Sequence, residues 1–331
     1  MSTLFSPLQI KNLTFSSRVI MPPMATGKSN EAGTPTEDLI TYYKDKTDSE
    51  KIGMVITEHA YITKDGMASK GQLSLADDGV IEGLKKLAAT IHDNHTLVFA
   101  QLNHAGGAAD TTASGLPSIG PSITPLPWRK NMAEKEMDEE DIHRIIQAFY
   151  DGAKRAIVAG YDGVEIHSAH GYLLNQFYSP LSNKRHDAYG GTLDNRIRLH
   201  LAIISAVRKA VGDAVPIALR LGACDYLEGG STIEDAIYAA KQFEKAGIDL
   251  LDISGGHNGY TIPGHSEEGY FSPVSSAIRQ AVNIPVILTG GVVTAAGAEQ
   301  LLSEGAADLI GVGRAILKDS LWMEKAFAQL H

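Results

Sequence analysis

Eight times in succession, a short apolar run rich in β-branched residues gives way to a longer stretch of mixed polarity. The runs are Val19–Met24, Met54–Glu58, Leu97–Leu102, Gly163–His167, Ile217–Leu221, Leu250–Ser254, Pro285–Thr289 and Leu309–Gly313. They barely alternate between apolar and polar residues, which is the pattern of strands buried on both faces. Between them the apolar residues recur at helical spacing. Leu84, Leu87, Ala88 and Ile91 share one face of Ile81–His92, and Ile142, Ile145, Ile146, Phe149 and Ala153 one face of Asp141–Val158. Ile197–Val211, Ile233–Ala246, Val274–Val282 and Ala296–Glu304 obey the same rule. Thr36 with Asp38 reads as the capped start of a helix through Tyr43, and Thr232 with Asp235 as another.

Strand–helix units repeated this way, without a break in composition, predict an α/β fold: a single (β/α)8 TIM barrel forming one domain over residues 1–331. A doubly wound sheet would need a Gly-rich phosphate turn after its first strand. Pro22–Pro23–Met24–Ala25–Thr26 is not such a turn. Leu4–Phe15 is expected to form an N-terminal hairpin across the barrel floor. Asp110–Lys135, long and Pro-rich, is expected as an excursion after the third strand that walls the site.

Composition removes several functional classes. Lys and Arg number 29 against 39 Asp and Glu, a net charge of −10, so phosphate-backbone binding to nucleic acid is disfavoured. The one cysteine, Cys224, excludes an internal disulfide and a Cys-ligated cluster. No apolar run reaches the roughly 18 residues of a membrane span, and Met1–Gln9 lacks the basic start of a signal peptide. A cytoplasmic enzyme is the expectation.

In a barrel of this kind the site lies at the C-terminal ends of the strands. Those ends deliver Pro23, Met24 and Ala25; Glu58 and His59; Gln101 and His104; and His167, His170 and Tyr172. The later strands deliver Arg220, Ser254, Gly290–Gly291 and Gly313–Arg314. Two glycine turns after the seventh and eighth strands, one carrying Arg314, have the form of a phosphate grip. His167 and His170, three residues apart, are either metal ligands with Glu165 or His104, or paired imidazole donors to one substrate oxygen with Tyr172 as proton source. Arg220 on an apolar strand needs an anion, either Glu58 or a negatively charged cofactor. Gln101, also on a buried strand, suits an edge that both donates and accepts. A phosphate and a planar heterocycle edge together point to flavin mononucleotide.

The stretch Glu165–Ile166–His167–Ser168–Ala169–His170–Gly171–Tyr172–Leu173 continues through Phe177–Tyr178–Ser179–Pro180–Leu181–Ser182–Asn183 to Arg185, Asp187, Tyr189–Gly190–Gly191 and Asn195–Arg196. With Arg18–Val19–Ile20–Met21–Pro22–Pro23–Met24 and Gln101–Leu102–Asn103–His104–Ala105–Gly106, it resembles the old yellow enzyme family, the FMN-dependent ene-reductases of the NADH:flavin oxidoreductase group. The resemblance runs from Leu4 to Arg314. It implies non-covalent FMN at the top of the barrel, with NADH or NADPH as reductant. Hydride would pass to Cβ of an activated alkene of the α,β-unsaturated carbonyl class. By the same resemblance Pro23, Met24 and Ala25 lie along the isoalloxazine, Gln101 meets its pyrimidine edge, and Arg220 lies beside N1 and O2. Gly290, Gly291, Gly313 and Arg314 hold the phosphate, His167 and His170 bind the substrate carbonyl, and Tyr172 protonates Cα. His59 falls where a small residue usually lines the flavin. Ala25 stands where Thr or Cys usually meets flavin O4, which implies a lower reduction potential, and Gly27 and Lys28 occupy the place of a tyrosine found in some members. Against that resemblance, the sequence to His331 is expected to act without the C-terminal extension or the cluster-binding Cys run of some relatives.

Overall fold

The computed structural model describes Ser2–His331. Two short strands, β1 (Leu8–Ile10) and β2 (Leu13–Phe15), form an antiparallel hairpin. Then come β3 (Val19–Met21), β4 (Met54–Ile56), the two-residue β5 (Ala60–Tyr61), β6 (Leu97–Asn103), β7 (Ile119–Gly120) and β8 (Lys135–Glu136). The chain continues with β9 (Gly163–Ser168), β10 (Ile217–Cys224), β11 (Leu250–Gly255), β12 (Val286–Thr289) and β13 (Leu309–Gly311). Neighbours run β4–β3–β13–β12–β11–β10–β9–β6, all parallel, and β4 also pairs with β6. That last pairing closes the expected barrel of eight parallel strands. β5 extends its rim by pairing with Leu102 and Asn103.

The first strand stops at Met21, short of Met24, because Pro22 and Pro23 have no N–H to give a neighbour. The second stops at Ile56, and the backbone N–H of Glu58 donates instead to the Tyr43 hydroxyl at 2.8 Å. β10 runs past Leu221 to Cys224 with a register shift after Gly222. Inside the lower barrel Ile20, Met54, Ile56, Phe99, Ala218, Leu250, Ile287 and Leu309 pack together. Ile10 and Phe15 of the hairpin seal that layer from below, as expected of a barrel floor.

Helices cover the outside. Thr36 accepts from the Leu39 N–H, and the helix it caps runs to Thr47, a turn beyond Tyr43. Thr232 and Asp235 form a reciprocal capping box for Ile233–Ala246, and Asp138 and Asp141 one for Glu139–Val158. The excursion after β6 holds a turn at Gly106–Ala108, the short helix Thr111–Ser114 and the parallel pair β7–β8. No helix among the described residues is long and apolar enough to cross a membrane.

Candidate active site

A cavity of about 440 Å³ opens at the C-terminal ends of the barrel strands, within the ordinary range for small-molecule sites. Of the residues expected at the strand ends, Pro23, Met24, Ala25, His59, Gln101, His167, His170, Tyr172, Arg220, Gly290, Gly291, Gly313 and Arg314 line it, whereas Glu58 and His104 do not. Trp128 and Arg129 of the excursion also line it, as do Ser254, Tyr260 and Tyr270. The length of the excursion signalled a wall, but no pattern in its sequence marked these two residues.

The backbone turns sharply after β9. His170 sits at φ 59° and Gly171 at φ 71°, both left-handed. This brings the His170 ring within 5.3 Å of the His167 ring, edge to face. Without the turn, residues three apart on a strand would face opposite sides. A non-glycine residue held in this region is strained, and such strain collects at functional sites. His170 Nε2 shares a hydrogen bond of 2.7 Å with Ser254 Oγ. Tyr172 precedes the short helix Leu173–Tyr178, and its ring lies 5.2 Å from His167 and 5.5 Å from His59. Burial holds the His167 pKa well below the ordinary value, helped by His170, Arg220, His59 and Arg129. Burial, Arg220, Arg129 and His59 do the same to His170. Both imidazoles are therefore neutral at physiological pH.

Below them lies a polar layer set by strand register. Gln101 and Glu165 are cross-strand neighbours, as are Arg220 and Asp252. Gln101 Nε2 donates to Glu165 Oε1 at 2.7 Å, which leaves the Gln101 carbonyl oxygen uncommitted. Arg220 Nε lies 3.1 Å from Asp252 Oδ2, and Thr289 Oγ1 donates to Asp252 Oδ1 at 2.8 Å. Burial, then repulsion from Asp252, raises the Glu165 carboxyl well above the usual carboxylate range. The protein partner of Arg220 is thus Asp252, not Glu58. Glu58 belongs to the segment after β4, far around the barrel from β10, and accepts the Thr26 N–H at 3.1 Å. Thr26 does not line the cavity that Ala25 lines, and its side-chain hydroxyl accepts the Lys28 N–H at 3.2 Å.

The two other metal-ligand candidates do not join the histidine pair. Glu165 is bonded to Gln101, and His104 takes the Gly106 N–H on Nδ1 while Nε2 faces Asp65 at 3.5 Å. At the other end of the cavity Gly291 takes φ 73°, and a Cβ there would fall 2.5 Å from the Tyr270 ring. Arg314 Nη2 reaches only a phenol, the Tyr270 hydroxyl, at 3.3 Å. A cation without a carboxylate beside a tight glycine turn fits a phosphate. The free Gln101 oxygen and the Arg220 guanidinium fit a polar heterocycle edge.

Residues 3–331 match the NADH:flavin oxidoreductase / NADH oxidase family. The NADH oxidase of Thermoanaerobacter brockii is 38% identical over 98% of this chain, and the chain spans about half (50%) of that relative's length. The NADPH dehydrogenase of Halalkalibacterium halodurans is 37% identical, with 99% of this chain and 94% of the relative covered. The solved structure of the old yellow enzyme homologue from Zymomonas mobilis superposes with a TM-score of 0.87 at 27% identity, covering 99% of this chain and 93% of that one. Agreement of sequence along nearly the whole chain with agreement of barrel architecture has one reading: the chain belongs to the NADH:flavin oxidoreductase / NADH oxidase family, that of the old yellow enzymes.

Proposed function

We propose that the chain is an FMN-dependent NAD(P)H oxidoreductase that reduces alkenes conjugated to a carbonyl. The observation that carries this reading is one cavity with two chemically distinct ends. Arg314 and the Gly290–Gly291 turn suit a phosphate, while His167, His170 and Tyr172 form a triangle of neutral donors. Between them Gln101 and Arg220 would hold the isoalloxazine edge, with Pro23, Met24, Ala25 and His59 along its flank. The bound flavin supplies two-electron hydride exchange between the nicotinamide and the alkene.

The protein's own part is binding, polarisation and proton transfer. Neutral imidazole N–H groups on His167 and His170 hydrogen-bond the carbonyl oxygen and draw charge from Cβ without a fixed positive charge. Tyr172 Oη gives its proton to Cα as Cβ is reduced. Donors of this kind contribute a few kcal/mol to lowering the barrier. His167 is buried and His170 half-buried at the cavity wall, which limits the water that can compete for the oxygen.

The test separates the two half-reactions. Purified protein should carry flavin absorbance that denaturation releases and NADH or NADPH bleaches anaerobically. Tyr172→Phe should spare that bleaching and slow reoxidation by an enone, because the hydroxyl is needed only when Cα takes its proton. Equal slowing of both steps would assign Tyr172 to packing. A colourless protein holding stoichiometric zinc would overturn the reading as a whole.

A further inference from the structure

Arg129 is the cation of this cavity that neither the fold nor the proposed flavin accounts for. It comes from the excursion after β6, and its Nε donates to the His170 carbonyl at 3.1 Å. Its guanidinium carbon lies 4.2 Å from the centroid of the Tyr172 ring and 5.0 Å from that of Trp128. It is half-buried and lines the cavity. Arg220 has Asp252 and Arg185 has Asp187, but among the described residues no acidic side chain pairs with Arg129. Burial first, with the field of Arg129 among the lesser causes, lowers the pKa of His59, His167 and His170, so no protonated imidazole competes with Arg129 for an anion.

We propose that Arg129 receives a carboxylate of the alkene substrate, so that the preferred substrates are unsaturated carbonyl compounds bearing a carboxylate near the reacting double bond. This rests on the function proposed above. The Nε contact to a backbone carbonyl fixes the guanidinium plane, which leaves the Nη edge as a fork for two carboxylate oxygens. A partly desolvated cation without a counterion is unfavourable, and a ligand anion relieves that penalty. Phosphate and isoalloxazine answer Arg314 and Arg220 elsewhere in the cavity, whereas Arg129 lies on the face of the residue proposed to protonate Cα. The Trp128 ring meets Tyr260 edge-on at 5.5 Å, which walls this end and suits a compact anion better than a diphosphate tail. The carboxylate is a handle only. NAD(P)H supplies the hydride that reaches Cβ, Tyr172 supplies the proton to Cα, and the carboxylate emerges unchanged.

The experiment uses the flavin-loaded protein and two matched pairs of probes. One pair is 4-oxopent-2-enoate and its methyl ester as substrates. The other is 4-hydroxybenzoate and its methyl ester as ligands, titrated calorimetrically. Wild-type protein should favour the acid of each pair by about tenfold or more, in kcat/KM and in Kd. Arg129→Gln should bring both ratios close to unity, and Arg129→Lys should keep part of the preference because the charge remains without the fork. Acid-to-ester ratios that survive in both variants would overturn the proposal. So would surviving ratios with a raised KM for NADPH, which would assign Arg129 to a nicotinamide phosphate. Protein that binds no flavin would instead overturn the function on which the proposal rests.

Discussion

His59 shows how a single side chain acquires a role through neighbours distant in sequence from the other site residues. The Ala68 N–H donates to Gln72 Oε1 at 2.7 Å, so the Gln72 amide nitrogen must face the other way. That nitrogen meets His59 O at 3.1 Å and His59 Nδ1 at 2.5 Å. Nδ1 therefore accepts, and the ring proton sits on Nε2. Burial, Arg129 and Arg220 push the His59 pKa down to about 4, so the ring is a neutral donor lining the cavity. His59→Leu should weaken binding of a phenolic ligand by several-fold, since one hydrogen bond is worth about 1 kcal/mol. An unchanged dissociation constant would leave His59 a purely steric wall. Glu58 governs stability rather than binding. Its burial outweighs the Thr26 hydrogen bonds and the nearby Lys28, and lifts its pKa from 4.5 to about 7. A carboxyl raised on folding contributes stability that is complete below the unfolded value and is lost as pH rises through the folded one. Thermal stability should thus fall between about pH 4.5 and about pH 7, by an amount on the order of 3 kcal/mol if this group acts alone. Glu58→Gln keeps an acceptor for the Thr26 N–H and should flatten the profile; a slope as steep as wild type would place its origin elsewhere.

Among elements, the N-terminal hairpin and the excursion after β6 differ in how they are encoded. The hairpin carries its own punctuation at Lys11–Asn12, and its end residue Phe15, fully buried, reaches the apolar layer inside the lower barrel. Phe15→Ala should cost about 3–5 kcal/mol, read from chemical denaturation, because the rigid strands around it cannot collapse into the space. Flavin affinity should change little, since the cavity lies at the opposite end. A loss below 1 kcal/mol would mean that the floor is sealed without the hairpin. The excursion has no comparable local signature. Its β7–β8 pair joins two-residue strands separated by a long loop, and Arg129 is placed by the carbonyl of His170 on a different part of the chain. Capping boxes lie at the other extreme: Thr232 and Asp235 are three residues apart and could be read directly.

For the whole molecule, net charge and site charge have opposite signs. The chain carries −10, yet Arg129, Arg220 and Arg314 all line the cavity. The anionic surface disfavours polyanions, while the cavity selects small anions by local geometry. A cofactor spread between β6, β10, β12 and β13 should tie opposite sides of the barrel together. A ligand that binds only the folded state raises stability by mass action. The melting temperature should therefore rise with added FMN. Arg314→Ala removes one charge-assisted contact worth about 1.5–3 kcal/mol, so it should weaken FMN about tenfold or more and shrink that rise. An FMN affinity unaffected by the substitution would remove Arg314 from the phosphate grip.

The eight barrel strands, most covering helices and all the expected cavity residues were legible in the sequence because their signals are local. Continuous apolar runs mark buried strands, helical spacing marks the layer outside, and in a closed parallel barrel the C-terminal ends of the strands carry the site, although not every residue there faces it, as Glu58 and His104 show. What only the tertiary structure decided depends on which strands become neighbours and in what register. Arg220 pairs with Asp252 because parallel pairing of β10 and β11 sets them side by side, whereas sequence alone offered Glu58 or an anionic cofactor as its partner. The tautomer of His59 is set through Gln72 by a backbone N–H at Ala68, and Trp128 and Arg129 reach the cavity by folding back over β9 and β11. Such contacts arise from chain closure over long separations, and no pattern of adjacent residues records them.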